Sequence, residues 1–191
     1  MILLIYDCDS FAYNLLHLIG DTQDVSLKRS DETSLEEVME MSPSHIIISA
    51  GFDHLRNKTC KEIVRHMRGH AVILGVCSGH QAICEVFGAS IISAEQPMYG
   101  KQSSIHIANG SPIFKRLPPI IQVGRYHSSV VEKLSLPDEI LVIAESDRGE
   151  VMGVKHRYHE IYGLQFNPES ILTPQGDAIM RNFLSIGGEN R

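Results

Sequence analysis

The stretch Val72-Ile73-Leu74-Gly75-Val76-Cys77-Ser78-Gly79-His80-Gln81 leaves few folds open to this chain. A β-branched apolar run ends in Gly-x-Cys-x-Gly and passes at once into Ala82-Ile83-Cys84-Glu85-Val86-Phe87, a helical apolar pattern closed by Gly88. The glycines flanking Cys77 permit a tight strand-to-helix turn, a nucleophile elbow, which lifts a thiol clear of a sheet and sets it at a helix N-terminus. There the helix dipole favours thiolate over thiol. The competing reading of Cys77 is a small buried apolar residue, the usual fate of a free cysteine.

The segments before the elbow alternate strand with helix. Ile2 to Tyr6 reads as a buried strand; Asp9 and Ser10 supply N-cap residues for a helix through Phe11, Leu15 and Ile19 that Gly20 ends. A short strand from Val25 to Lys28 follows, then a capping box at Ser34 to Glu37 opening a helix to about Met41. The strand His45 to Ser49, a loop from Ala50 to Asn57 and a helix from Lys58 to Arg68 complete this half. Such alternation implies a parallel sheet with helices on both faces and ligands beyond the carboxyl ends of its strands, where Cys77 falls. After Gly88 the pattern changes to short strands: 90–93, 102–107, 120–126, 130–133, 140–145, 151–156 and 161–166. A final helix begins at Pro174, with Ile179, Met180, Phe183 and Leu184 at helical spacing. The fold class is therefore α/β: a mixed, mainly parallel central sheet flanked by helices, in one domain spanning 1–191.

With 43% hydrophobic residues, 191 residues suffice for one substantial core. Seventeen basic against 23 acidic residues give a formal charge of -6, which makes nucleic acid and anionic membrane surfaces poor partners. No basic region precedes the first apolar run, and no run approaches the roughly 18 residues of a membrane span, so a cytoplasmic location is expected. The cysteines at 8, 60, 77 and 84 form no C-x-x-C pair and read as reduced thiols. His156 and His159 lack an evident third ligand, so no metal site and no cofactor are expected.

Five motifs then converge. Asp9-Ser10-Phe11 with Tyr13-Asn14-Leu15, Leu74-Gly75-Val76-Cys77 with Gly79-His80-Gln81-Ala82-Ile83, Tyr126-His127-Ser128, Val151-Met152-Gly153-Val154 with His156, and Gln165-Phe166 with Pro168-Glu169-Ser170-Ile171-Leu172 occur in this order. Together they resemble the class I, triad-type glutamine amidotransferases, within which the chain looks like the glutaminase component of anthranilate synthase or aminodeoxychorismate synthase. The resemblance runs from the first strand to the last helix and implies a flavodoxin-like amidotransferase fold. It also implies hydrolysis of glutamine, with ammonia passed to a partner synthase acting on chorismate. It makes Cys77 the nucleophile, Ser78 N–H and the Gly51 loop the oxyanion donors, and Gln81, Ser128 and Ser129 the holders of the substrate's amino-acid end. Asn167 and Glu169 occupy the places of the histidine and glutamate of the triad.

The resemblance breaks at the chemistry. The family's Gln-Phe-His-Pro-Glu-Ser is here Gln165-Phe166-Asn167-Pro168-Glu169-Ser170, and a carboxamide has no basic nitrogen to take the proton of Cys77. The family's Pro-Gly-Pro-Gly oxyanion loop is Ala50-Gly51-Phe52-Asp53, and Ser78 replaces a bulky residue. Two functional readings follow. In one the chain is a working glutaminase subunit with another histidine, His127 ahead of His80, His156 and His159, serving as base. In the other it is a degenerate subunit with a structural or regulatory role, whose synthase uses free ammonia.

Overall fold

A computed structural model of the chain describes residues 1–7, 11–20, 24–49 and 54–187, with the backbone alone for 54–57. The expected N-caps Asp9 and Ser10, the oxyanion-loop Gly51 and its neighbours Phe52 and Asp53 lie outside the described residues. The elements run β1 (Ile2–Tyr6), α1 (Phe11–Ile19), β2 (Val25–Arg29), α2 (Leu35–Met41), β3 (His45–Ser49), α3 (His54–Met67), β4 (Val72–Val76) and α4 (Ser78–Val86). They continue with β5 (Ile91–Ser93), β6 (Lys101–Ile107), β7 (Ile120–Arg125), β8 (Ser129–Val131), β9 (Ile140–Ser146), β10 (Val151–His156), β11 (Ile161–Leu164) and α5 (Gly176–Leu184).

Among the described residues nine strands form one sheet in the order β2-β1-β3-β4-β11-β10-β9-β6-β7, and β5 pairs with β8 apart from it. The β1, β2, β3, β4 and β11 strands are mutually parallel, while β10, β9, β6 and β7 continue the sheet antiparallel. The central strands β3 and β4 are buried along their whole length, as continuous apolar runs covered on both faces must be. Residue parity divides the core. Leu4, Ile47, Leu74 and Leu164 face the side packed by α1 and α5, with Leu15, Ile179 and Phe183. Leu3, Ile46, Ile73 and Ile161 face the other side, with Val38, Ile63 and Ile83 of α2, α3 and α4. No helix among the described residues is long and apolar enough to cross a membrane.

Several boundaries differ from the sequence reading. Helix α3 begins at His54, not Lys58. Its described core-facing residues, Cys60, Ile63, Val64 and Met67, keep the helical period from the second turn onward. Strand β11 stops at Leu164, not residue 166, because the backbone passes from β10 to β7 over the next three residues. Gln165 N donates to Met152 O, and Asn167 N donates to Gly124 O on β7 at 3.0 Å. The final helix begins at Gly176 after a turn in which Gly176 N donates to Thr173 O. At Ser34 the capping box is half formed. Its hydroxyl accepts from Glu37 N at 3.2 Å, whereas the Glu37 carboxylate turns to Lys28 at 2.7 Å.

Candidate active site

Strand β4 delivers Cys77 to the carboxyl edge of the sheet, and the turn there is built on absent side chains. A Cβ on Gly79 would stand 2.0 Å from Ile48 O, and one on Gly75 would stand 2.4 Å from Gly79 O. The helix can thus begin immediately only because both positions are bare. Cys77 is left at φ 52°, ψ -103°, a region that costs a non-glycine residue on the order of 1–3 kcal/mol. Its amide donates to Leu164 O at 2.8 Å, tying the turn to the end of β11. Ser78 follows as the first residue of α4, where opening amides have no intrahelical acceptor.

The parallel pairing of β4 with β11 sets Leu164 opposite Val76, so Gln165 leaves the sheet beside Cys77. Gln165 is fully buried, and its Nε2 lies 3.9 Å from Cys77 Sγ. From α4, Gln81 Nε2 donates to Gln165 Oε1 at 3.0 Å and to Ser129 O at 2.9 Å. Cys77, Gln165, Gln81 and Ser129 are therefore one hydrogen-bonded group drawn from the β4–α4 turn, the end of β11, α4 and β8. Ser128 is exposed just ahead of β8, and its carbonyl accepts from Ala94 N.

Asn167 and Glu169 form a second group on the same edge. Asn167 is 4% exposed; its Nδ2 donates to Glu169 Oε1 at 2.7 Å, and its Oδ1 is buried without a hydrogen-bond partner among the described residues. The segment is clamped from both sides. Thr173 Oγ1 donates to Asn167 O at 2.7 Å and accepts from Gly124 N at 2.9 Å. A Cβ on Gly176 would lie 1.9 Å from Pro168 O, and one on Gly124 would lie 2.7 Å from Ser170 Oγ. Beyond Glu169 opens a cavity of about 560 Å³ whose walls include Asn14, His17, Tyr126 and Asp177.

The four histidines raised as replacement bases are each committed elsewhere. His127 is buried, and its Nε2 accepts from Arg125 Nε at 3.1 Å. That uses the one lone pair of the neutral ring, while burial and the Arg125 charge push the imidazole down to about 4. Arg125 is itself paired with Glu150. His80 packs over Gly163, with Nδ1 4.0 Å from Cys84 Sγ, and complete burial pushes it down to about 3. His156 stands level with Ile161 and thus with Ile73, at the amino edge of the sheet. At about 3.3 Å per residue, roughly 13 Å of strand separates that level from Cys77, and His159 lies beyond it. His156 Nδ1 accepts from Tyr158 N and His159 N. The expectation that His127 leads as base therefore fails on its hydrogen bonding.

Gln165 is the residue the sequence reading passed over as part of a site. Its signal was a polar side chain closing the otherwise apolar run Ile161 to Phe166, which a buried strand end tolerates only when the amide is partnered. Gly124, Thr173 and Gly176 carried no comparable sign.

Residues 4–186 match the glutamine amidotransferase class-I family. The chain is 40% identical over 189 residues to the bifunctional protein TrpGD of Thermotoga maritima, covering 97% of this chain and 32% of that protein. It thus spans about a third of that relative's length. It is 39% identical over 186 residues to aminodeoxychorismate/anthranilate synthase component 2 of Bacillus subtilis, covering 96% of this chain and 95% of that one. Among solved structures, a Thermoplasma acidophilum protein described as a GMP synthase subunit superposes with a TM-score of 0.85 at 25% identity, covering 96% of this chain and 92% of that one.

Proposed function

Since the chain belongs to the class-I glutamine amidotransferase family, we propose that it is, as one amidotransferase domain, the glutamine-handling subunit of a synthase that aminates chorismate, giving anthranilate or 4-amino-4-deoxychorismate. The observation that carries this reading is Cys77 at positive φ on a strand-to-helix turn, hydrogen-bonded through Gln165 to Gln81 and Ser129. In this reading Cys77 Sγ attacks the side-chain carbonyl of glutamine and a tetrahedral oxyanion forms against Ser78 N–H and the Gly51 loop. Collapse breaks the carbon–nitrogen bond, and the nitrogen takes up the proton that the Cys77 thiol gave up and leaves as ammonia. Water then attacks the γ-glutamyl thioester, releasing glutamate and the thiol. Gln81, Ser128 and Ser129 hold the amino-acid end of the substrate.

The proton is the weak point. Asn167 takes the place of the triad base, and Glu169 would orient an imidazole that is not there. A second reading follows from the same carboxamide: a degenerate subunit that keeps the scaffold and the glutamine pocket and shapes or regulates the synthase, which uses free ammonia. The buried, unpartnered Oδ1 of Asn167 favours it, because this atom accepts hydrogen bonds but does not bind a proton near neutral pH. The experiment is ammonia release from glutamine by the chain together with its chorismate-using synthase, compared with Cys77→Ala. Turnover that Cys77→Ala abolishes supports hydrolysis; synthase activity with free ammonia alone supports the second reading.

A further inference from the structure

The Gln81 carboxamide has its direction fixed by a backbone atom. Ser129 O can only accept, so Gln81 must turn its NH2 group toward it. The second hydrogen of that NH2 meets Gln165 at 3.0 Å, which must therefore present oxygen there. The NH2 of Gln165 is left facing Cys77 Sγ at 3.9 Å. The orientation of both amides thus follows from one carbonyl, and the sulfur faces a donor held in a fully buried side chain. A thiolate is a strong acceptor and a thiol a weak one, so a fixed N–H favours the charged form. The N-terminus of α4 acts in the same direction.

We propose that Gln165 is a positioning residue of the site, aligned by Gln81 and Ser129 O, whose N–H holds the Cys77 sulfur as an anionic nucleophile without help from an imidazole at 167. The inference deepens the proposed function, since the sulfur is taken to be the attacking atom. It adds that the first requirement of the reaction, a charged sulfur, is met independently of the lost base. The titratable groups on the surrounding elements include His80, Cys84 and Glu85 on α4, Tyr162 on β11, His127 ahead of β8 and Glu169 after β11. None of them is changed in the variants below.

The test is the rate of Cys77 carboxamidomethylation by iodoacetamide in the full chain across roughly pH 5 to 10, a span bracketing an ordinary thiol, read on the Cys77 peptide by mass spectrometry. Gln165→Met keeps length and removes the donor without adding charge, and it is expected to raise the midpoint of the profile by about one pH unit. Gln81→Ala, at a half-buried helix position, leaves Gln165 unaligned and is expected to raise the midpoint by a smaller amount. A Gln165 that only bridges strand ends would lower the melting temperature and leave both midpoints where they are, which overturns the proposal. Should Gln165→Met fail to fold, an unmoved midpoint in Gln81→Ala overturns it equally. Alkylation requires neither glutamine nor the synthase. A shifted midpoint without ammonia release would sustain this inference while defeating the hydrolytic reading, and ammonia release with no shift would do the reverse.

Discussion

Asn167 donates from Nδ2 to Glu169 and leaves Oδ1 buried, so it reproduces the half of an imidazole that engages the carboxylate and omits the half that takes a proton. A positioned general base contributes on the order of 10² to 10⁴ in rate, so the unmodified chain with its synthase should release little ammonia from glutamine. Asn167→His should raise that release by on the order of 10², with Cys77→Ala in the same background abolishing the gain. The gain should stop short of the full factor, because the sequence carries Phe52 and Asp53 where the family's oxyanion sequence has proline and glycine, and a carboxylate beside a developing oxyanion would oppose it. A coupled glutamate assay measures both effects. Brisk turnover by the unmodified chain would refute this account, and His127 could be rescued as base only by breaking its bond to Arg125.

The β4–α4 junction is where side-chain absence sets geometry. Gly79→Ala would drive a methyl to 2.0 Å from the carbonyl of Ile48, a backbone atom in the middle of the sheet that cannot swing aside. The expected loss is more than about 3 kcal/mol, read as the shift in urea midpoint at unchanged slope. Cys77→Gly should act in the opposite sense, recovering about 1 kcal/mol of backbone strain at φ 52°, since glycine enters that region freely. This junction was legible in the sequence because everything that defines it is local: a β-branched run, two glycines two residues either side of a cysteine, and a helical apolar period. The parallel half of the sheet was legible for the same reason. What stayed hidden depends on pairing between distant segments. Strand β11 lies between β4 and β10, and only that insertion brings Gln165 to Cys77 across 165 − 77 = 88 positions. Gly124 and Gly176 became interpretable only once the 167–170 segment was seen pressed between them. His127 read as a candidate base because sequence does not show that its lone pair is taken by a neighbour two residues away.

Among the described residues, burial depresses the imidazoles of His80, His127 and His156, the first two the most. His80 is held down to about 3 by burial and by the neighbouring His127, and His127 to about 4 by burial and by Arg125, partly opposed by Glu150. Both folded values lie below the 6.5 of a free histidine, so in the interval between them the unfolded chain binds more protons than the folded one. The stability contributed by these rings is therefore complete above about pH 6.5 and declines as the pH falls toward the folded values. By about pH 5 each should have cost on the order of 2 kcal/mol relative to neutral pH. His127→Gln isolates the effect, because a glutamine oxygen can still accept from Arg125 Nε while carrying no titrating nitrogen. Urea midpoints measured from neutral to acid pH should fall less steeply in His127→Gln than in the unmodified chain. Parallel slopes in the two proteins would show that the acid sensitivity does not arise at His127.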